Sequence, residues 1–340
     1  MKQETNDGAL TFTTAADKTP RNSHHPRKGL GMKTMNAVND VGTVDAVKEK
    51  AAAATTLPRE AGGAQSAFAF PLNETLALPV AVRDYPCNPG GIPPLSLEMG
   101  DYVLRFARDA RDLDAVCKLR FEVYNLELNE GLDASYRTHR DIDEFDPQCH
   151  HLIVVHRSSG SVAGTYRIQT GSMAMLRKGF YSAQEFDLAA FPREFVDHCV
   201  EVGRACIGRE HRNGRVLQLL WKGLARYLDW NGKRFLFGCC SLTSQDAAEG
   251  RALFRRLEAM DHIHPTLRAR PLPEYACEAG VLDVLEAAQP RLPRLFEGYL
   301  NLGGLVCGEP ALDRKFKTID YLVMVDTQEM PQGVYRKMLA

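Results

Sequence analysis

Cys199-Val-Glu-Val-Gly-Arg-Ala-Cys-Ile207 runs into Gly208-Arg-Glu-His-Arg-Asn-Gly214, and a segment with Val216, Leu217, Leu220, Trp221, Leu224 and Leu228 at helical spacing follows. The first run reads as a strand and the last as an amphipathic helix, so the middle is a strand-to-helix loop. A strand end, a basic loop with a glycine and a helix N-terminus together make a cradle for phosphate. In it Gly214 lets the backbone approach, Arg209, Arg212 and Arg215 add charge, and Asn213 adds a polar amide. The same loop also reads as a solvated helix cap. In an ideal strand Glu201 and Arg204 project to opposite faces. Gly203 between them invites a bulge, which would re-aim one side chain and splay the strand from its neighbour. The alternative is a buried strand whose Glu and Arg pair with neighbours.

Upstream, Tyr102-Val-Leu-Arg-Phe-Ala reads as a strand, and Asp112 is the expected cap of a helix burying Leu113, Val116, Leu119 and Val123. Leu152-Ile-Val-Val and Val162-Ala-Gly-Thr-Tyr-Arg-Ile flank Ser158-Ser159-Gly160, a predicted hairpin. Downstream come a strand at 234–240, a helix at 246–260, a Pro-containing link, a helix at 293–302 and a strand at 318–326. Residues 1–98 show no sustained period and are expected to form a mostly disordered tail; residues 99–340 are expected to form the folded domain.

Of 340 residues, 42 are Lys or Arg and 43 Asp or Glu, giving a net charge of -1 and no global attraction to nucleic acid. Any anionic partner must meet a local patch. The basic run Lys18, Arg21, His24, His25, Arg27 and Lys28 would allow peripheral contact with anionic lipid, and equally suits a solvated tail. The nine cysteines are scattered without a paired C-x-x-C spacing, which fits a reduced cytoplasm, and no histidine spacing suggests a metal. No secretory leader or spanning segment is expected.

More charge converges at Arg120, Asp143, Asp146 and Arg167. An arginine on an apolar strand needs partners, so Asp143, Asp146 and Glu201 could answer Arg120, Arg167 and Arg204 as an ionic network or as a site for a zwitterion. Arg120-x-x-x-Tyr124, Asp143-x-x-Asp146, Gly164-Thr-Tyr-Arg167 and Glu201-x-x-Arg204 resemble, in order and spacing, the acyl-homoserine lactone autoinducer synthases. The C-terminal half is similar to the ornithine N-acyltransferases of ornithine-lipid synthesis and the hemolysin-like N-acyltransferases. The resemblance there lies in Glu201-Val-Gly-Arg-Ala-Cys, Leu220-Trp221-Lys-Gly and Tyr299-x-x-x-Gly303-x-x-Val-Cys-Gly-Glu-Pro-Ala311. It covers roughly residues 100–330 and implies an α/β acyl-CoA N-acyltransferase (Gcn5-related) fold, with a mixed, mostly antiparallel sheet flanked by helices. Leu128, Asn129 and Glu130 stand where the autoinducer family usually has a Trp.

The resemblance implies transfer of a long-chain acyl group to the α-amine of an amino acid, ornithine in the first place. The acyl-phosphopantetheine thioester of an acyl carrier protein, or acyl-coenzyme A, would be co-substrate, with no bound cofactor and no metal. The amine carries a proton at neutral pH, so a base must take it, and Glu201 is the candidate. Backbone amides near Cys206 and Ile207 would hold the oxyanion. Arg204 or Arg167 would hold the amino-acid carboxylate, and the loop Arg209–Arg215 the phosphate. Cys206 reads as core rather than as a nucleophile. An autoinducer synthase using S-adenosylmethionine, a coenzyme A-dependent acetyltransferase and a non-catalytic carrier-binding module stay open as alternatives.

Overall fold

A computed structural model describes residues 85–331 and 333–340. Residues 1–84 of the expected tail lie outside the described residues, but residues 85–98 are folded onto the domain. Tyr85 is buried beside Leu113, Val116 and Ile153, and its hydroxyl accepts a hydrogen bond from the His151 amide at 3.1 Å. Strand β1 (Ser96–Met99) pairs with β2 (Tyr102–Phe106). The Tyr85 contacts are with distant partners, which no local period announces, whereas β1 and β2 form a local hairpin across Gly100-Asp101.

Helix α1 (Ala110–Phe121) is capped by Asp109, not by Asp112: the Asp109 carboxylate accepts from the amides of Arg111 and Asp112 at 2.9 and 3.0 Å. Asp112 instead turns back to Arg105 and to the Arg108 amide. The helix buries the expected Leu113, Val116 and Leu119 and widens into a π turn at Glu122–Glu127.

The chain continues through the hairpin β3 (His150–His156) and β4 (Val162–Thr170), then α2 (Gly171–Met175), β5 (Phe186–Asp187) and α3 (Arg193–His198). The opening stretch of the sequence is β6 (Cys199–Ile207), followed by α4 (Arg215–Trp230), β7 (Phe235–Leu242) and α5 (Ala247–Ala259). The remainder comprises β8 (Arg270–Pro271), α6 (Val281–Glu286), α7 (Arg294–Asn301), β9 (Leu305–Val306), β10 (Ala311–Asp313), β11 (Thr318–Asp326) and α8 (Val334–Leu339). Among the described residues no helix is long and apolar enough to cross a membrane.

The large sheet runs β1-β2-β3-β4-β6-β7-β11-β10 with β9 on β11, and every pair is antiparallel except β6–β7. This is the mixed, mostly antiparallel sheet expected. Period two sorts its side chains. One face carries Tyr166, Val202, Cys240, Tyr321 and Val323 and packs on α4, α5 and α7. The other carries Arg167, Gln169, Glu201, Cys239, Ser241 and Asp320, beneath α1, α2, α3 and the loops between them.

Two departures from a regular sheet shape its centre. Strand β6 pairs with β7 only as far as Glu201↔Phe237, while β7 stays paired with β11 to Leu242, so β6 and β7 fork beyond Glu201. At the fork, a Cβ on Gly238 would lie 2.0 Å from the Val202 carbonyl oxygen, so only glycine lets the strands converge there. On the other side of β6 the partners are Thr165↔Cys206 and then Arg167↔Gly203, so Arg204 and Ala205 together oppose Tyr166. That is the expected bulge, one residue later than Gly203, with Arg204 at φ 47°.

Candidate active site

A cavity of about 330 Å³ passes through the fork and is lined from both faces of the sheet. Tyr166, Ile168, Leu295, Phe296, Tyr299 and Val323 give it an apolar wall. Arg167, Glu201, Arg204, Glu130, Asp313 and Asp320 give it a charged one.

The bulge changes the parity of β6, so Arg204 lies on the same face as Glu201 and Arg167. Three arginines and three aspartates interlock there. Arg120, fully buried, donates from Nε to Asp141 at 2.8 Å and from both terminal nitrogens to Asp146 at 2.7 and 3.0 Å. Arg167 donates to Asp143 at 2.6 Å and to Asp146 at 3.2 Å, and Arg204 to Asp143 at 3.2 Å. The Arg204 guanidinium is sandwiched between the rings of Tyr181 and Phe316, at 4.6 and 4.5 Å. Burial alone would raise the Asp146 carboxyl, but Arg120 and Arg167 outweigh it and hold the group well below the usual range. Burial likewise works against the Arg120 charge, which Asp141 and Asp146 more than restore. The expected network is therefore present, with Asp141 in the place foreseen for Glu201. Arg204 Nε, 3.4 Å from Asp141, has no hydrogen-bond partner.

Glu201 serves a different group. Its Oε2 accepts from Gln169 Nε2 at 2.6 Å and the Tyr181 amide at 2.8 Å, and its Oε1 accepts from the amide and hydroxyl of Ser182 at 2.8 and 2.7 Å. Four donors occupy about all the lone-pair directions of a carboxylate. Glu201 thus anchors the turn that brings Tyr181 under Arg204 and Arg167. The general base expected at this position is a carboxylate already engaged by four donors. Another carboxylate of the wall is less engaged: Glu130 accepts from the Thr243 hydroxyl, and burial pushes its carboxyl up. Its amide donates to the Tyr124 carbonyl at 2.8 Å, and the Tyr124 hydroxyl reaches the Ala205 carbonyl at the bulge at 2.9 Å.

Along the ladder to β4, Gly208 donates to Ala163 at 2.9 Å. Antiparallel alternation then turns the backbone of Cys206 toward β4 and that of Ile207 away from it, and the Ile207 carbonyl accepts from Arg212 Nε at 3.0 Å. Of the two amides expected to hold an oxyanion, that of Ile207 faces away from the ladder and that of Cys206 does not. The Cys206 side chain is buried with Leu119, Val123, Tyr124 and Phe316, and burial pushes its thiol up to about 12. It is a core residue, as the sequence suggested.

In the basic loop Arg209 and Arg215 are exposed. Arg212 is bound bidentately by Glu127 at 2.6 and 2.8 Å. Asn213 receives the Arg215 amide at 3.1 Å and donates to the Tyr102 hydroxyl at 2.9 Å. Gly214 has φ 82° with open space where a Cβ would be. The amides of Val216 and Leu217 belong to the first turn of α4 and lack partners within it. The loop keeps the features of an anion cradle, with two of its three arginines available.

Sequence reasoning missed Asp141, Tyr181, Phe316 and the second acidic group of the site, Glu185, Asp313 and Asp320. Possible ligand atoms of these three lie within 4.8 Å of one another. Two of them sit on short or irregular segments that carry no periodic signal.

Residues 119–222 match the family model of the acetyltransferase (GNAT) domain. The L-ornithine N(alpha)-acyltransferase of Agrobacterium fabrum is 32% identical over 245 residues, covering 67% of this chain and 81% of that protein. The protein of the same name from Rhodobacter capsulatus is 31% identical over 242 residues, covering 68% of this chain and 92% of its own. Among solved structures, the AHL synthase LasI superposes at a TM-score of 0.38 with 14% identity, covering 68% of this chain and 93% of its own.

Proposed function

This chain belongs to the L-ornithine N(alpha)-acyltransferase family, and from that premise we propose that it moves a long-chain fatty acyl group from the phosphopantetheine thioester of an acyl carrier protein to the α-amine of L-ornithine. The observation that carries this reading is the cavity through the fork, with one charged and one apolar wall. Aminolysis of a long-chain thioester has to bring a charged amino acid and a hydrocarbon chain to one carbon atom. A cavity with only one kind of wall would strand one of them.

In the proposed reaction the acyl chain lies along Tyr166, Phe296 and Tyr299, and the phosphate of the carrier arm sits at the loop before α4. The amine nitrogen attacks the carbonyl carbon, a C–N bond forms, and the oxygen takes the negative charge. The Ile207 amide, directed away from the β4 ladder, supports that charge. The C–S bond then breaks and the thiolate leaves on the carrier arm. Glu130 takes the amine proton, since a carboxylate pushed up by burial is a better match for an amine than one tied by four donors. Arg204, with a spare Nε donor, holds the amino-acid carboxylate. Glu201 positions Tyr181 and through it both arginines.

The test is to incubate the purified protein with an acyl carrier thioester and L-ornithine and to identify the product by mass spectrometry. The expected product is Nα-acylornithine. A requirement for S-adenosylmethionine with release of methylthioadenosine would overturn the acceptor. Equal use of free acyl-coenzyme A at the same concentration would overturn the carrier protein as donor.

A further inference from the structure

We propose that Glu185, Asp313 and Asp320 form a subsite for a second ammonium on the acceptor, the side-chain δ-amine of a diamino acid. This rests on the acceptor reading above and says how one amino acid is chosen among many. All three carboxylates are buried, and Asp313 and Asp320 line the cavity. Asp320 is 4% exposed; its Oδ2 accepts from the Thr318 hydroxyl at 3.3 Å and its carboxyl is also reached by Ser241 and Glu185, while its Oδ1 makes no hydrogen bond of good geometry. A buried carboxylate oxygen without a donor is costly and marks a place where a donor belongs.

The cations that share the cavity do not answer it. Arg167 and Arg204 are bound by Asp143, Asp146 and Asp141. Asp313 Oδ1 is held by the amides of Lys315 and Phe316 at 2.8 and 3.0 Å, and Glu185 is approached by the Cys239 thiol at 3.9 Å. Burial, and repulsion from Asp320 and Asp313, push the Glu185 carboxyl well up; burial pushes Asp320 up as well. An alkylammonium has three donors, and its charge would draw the raised Glu185 and Asp320 carboxyls back to the ionised form that accepts them. A calcium ion would need six to eight oxygens, roughly, and a magnesium ion a near-octahedral shell, and two amides already compete for Asp313.

The comparison that isolates the subsite is L-ornithine against L-norvaline, which has the same three-carbon side chain without the amine. A site built to bind the amine should favour ornithine by about 10⁴-fold in kcat/KM. Asp320→Asn should shrink that preference to below about tenfold, with a retained thermal transition as the check on folding. Glu185→Gln should move it the same way, and decides together with the wild-type ratio if the first variant does not fold. Equal use of both amino acids by the wild type, or an unchanged preference in folded variants, overturns the subsite. So does a preference that chelator abolishes and added calcium or magnesium restores, which would make the group a metal site. Failure of the wild type to acylate any amino acid would instead overturn the acceptor reading on which the subsite rests.

Discussion

Glu201→Gln separates the two roles this residue can have. A general base would lose its function on becoming an amide while the fold stayed as it was. An anchor loses something else. The carboxylate accepts four hydrogen bonds, two at each oxygen. In the variant one oxygen becomes an NH₂ group that faces two donors, the Ser182 pair or the Gln169 and Tyr181 pair, depending on how the amide settles. Each hydrogen bond to a charged acceptor is worth about 1.5 to 3 kcal/mol, so two lost bonds cost about 3 to 6 kcal/mol. For a domain of this size, each kcal/mol moves the melting temperature by about 2 to 4 °C, which puts the expected fall near 10 °C. Turnover should drop at least about tenfold as Tyr181 and the arginines it supports shift, and the pH dependence of kcat should keep its acid limb, because the proton acceptor we propose is Glu130. Thermal unfolding by circular dichroism and a pH series of turnover read both. An unchanged melting temperature with a lost acid limb would return the base to Glu201 and refute the hydrogen-bond reasoning.

Cys206→Ala should retain turnover within about threefold, because a thiol pushed up to about 12 supplies almost no thiolate at neutral pH; trapping of an acyl group on Cys206 would contradict this. Reversing Arg209 and Arg215 to Glu should raise the KM for acyl carrier protein at least about tenfold with little change for ornithine, and salt should mimic the effect in the unmutated enzyme. The reversal spares Arg212, which Glu127 already binds, so a loss at Arg212 alone would speak for structure and not for docking. Acid should destabilise the fold through His150 and His151, both buried and both lowered to about 4 from 6.5 by loss of solvent. Between those values the unfolded chain binds the protons and the folded chain does not, so stability is full above pH 6.5 and falls toward pH 4. The slope reaches up to about 2.7 kcal/mol per pH unit for two groups, and urea unfolding across that range with His150→Gln as control measures it.

The strands and helices around the site were legible because each buries one face over a full period: β6, the β3–β4 hairpin and β11 lie where alternation put them. The arginines were legible for a related reason, since a charge on an apolar strand demands a partner. Which partner it found was not. Asp141 and Glu201 sit in equally plausible places along the chain, and only the path of the loop before β3 decides that Asp141 meets Arg120. Tyr181 and Phe316 are also loop residues, and their stacking on Arg204 depends on two turns brought together by distant strands. The acidic group beside Asp320 is a single position on β11 joined to two non-periodic segments, so no window of sequence contains it.

The bulge at Arg204 follows from a balance that the sequence states and the fold resolves. Without it, continued alternation from Val200 and Val202 would send Arg204 to the apolar face, among Tyr166 and Tyr299. An unpaired guanidinium there would cost several kcal/mol, of the order reported for broken buried ion pairs, about 3 to 5. Holding one non-glycine residue at φ 47° costs about 1 to 2 kcal/mol. The bulge is therefore the cheaper solution, and it places Arg204 against Asp143 and between two aromatic rings. The same extra residue exchanges every later position on β6: Cys206 moves beneath α1, while Ala205 and Ile207 turn to the α4 face. It also interrupts the β4 ladder next to the fork, where the proposed reaction draws on a backbone amide. One charged residue in an apolar strand thus sets the network and the orientation of the later amides together.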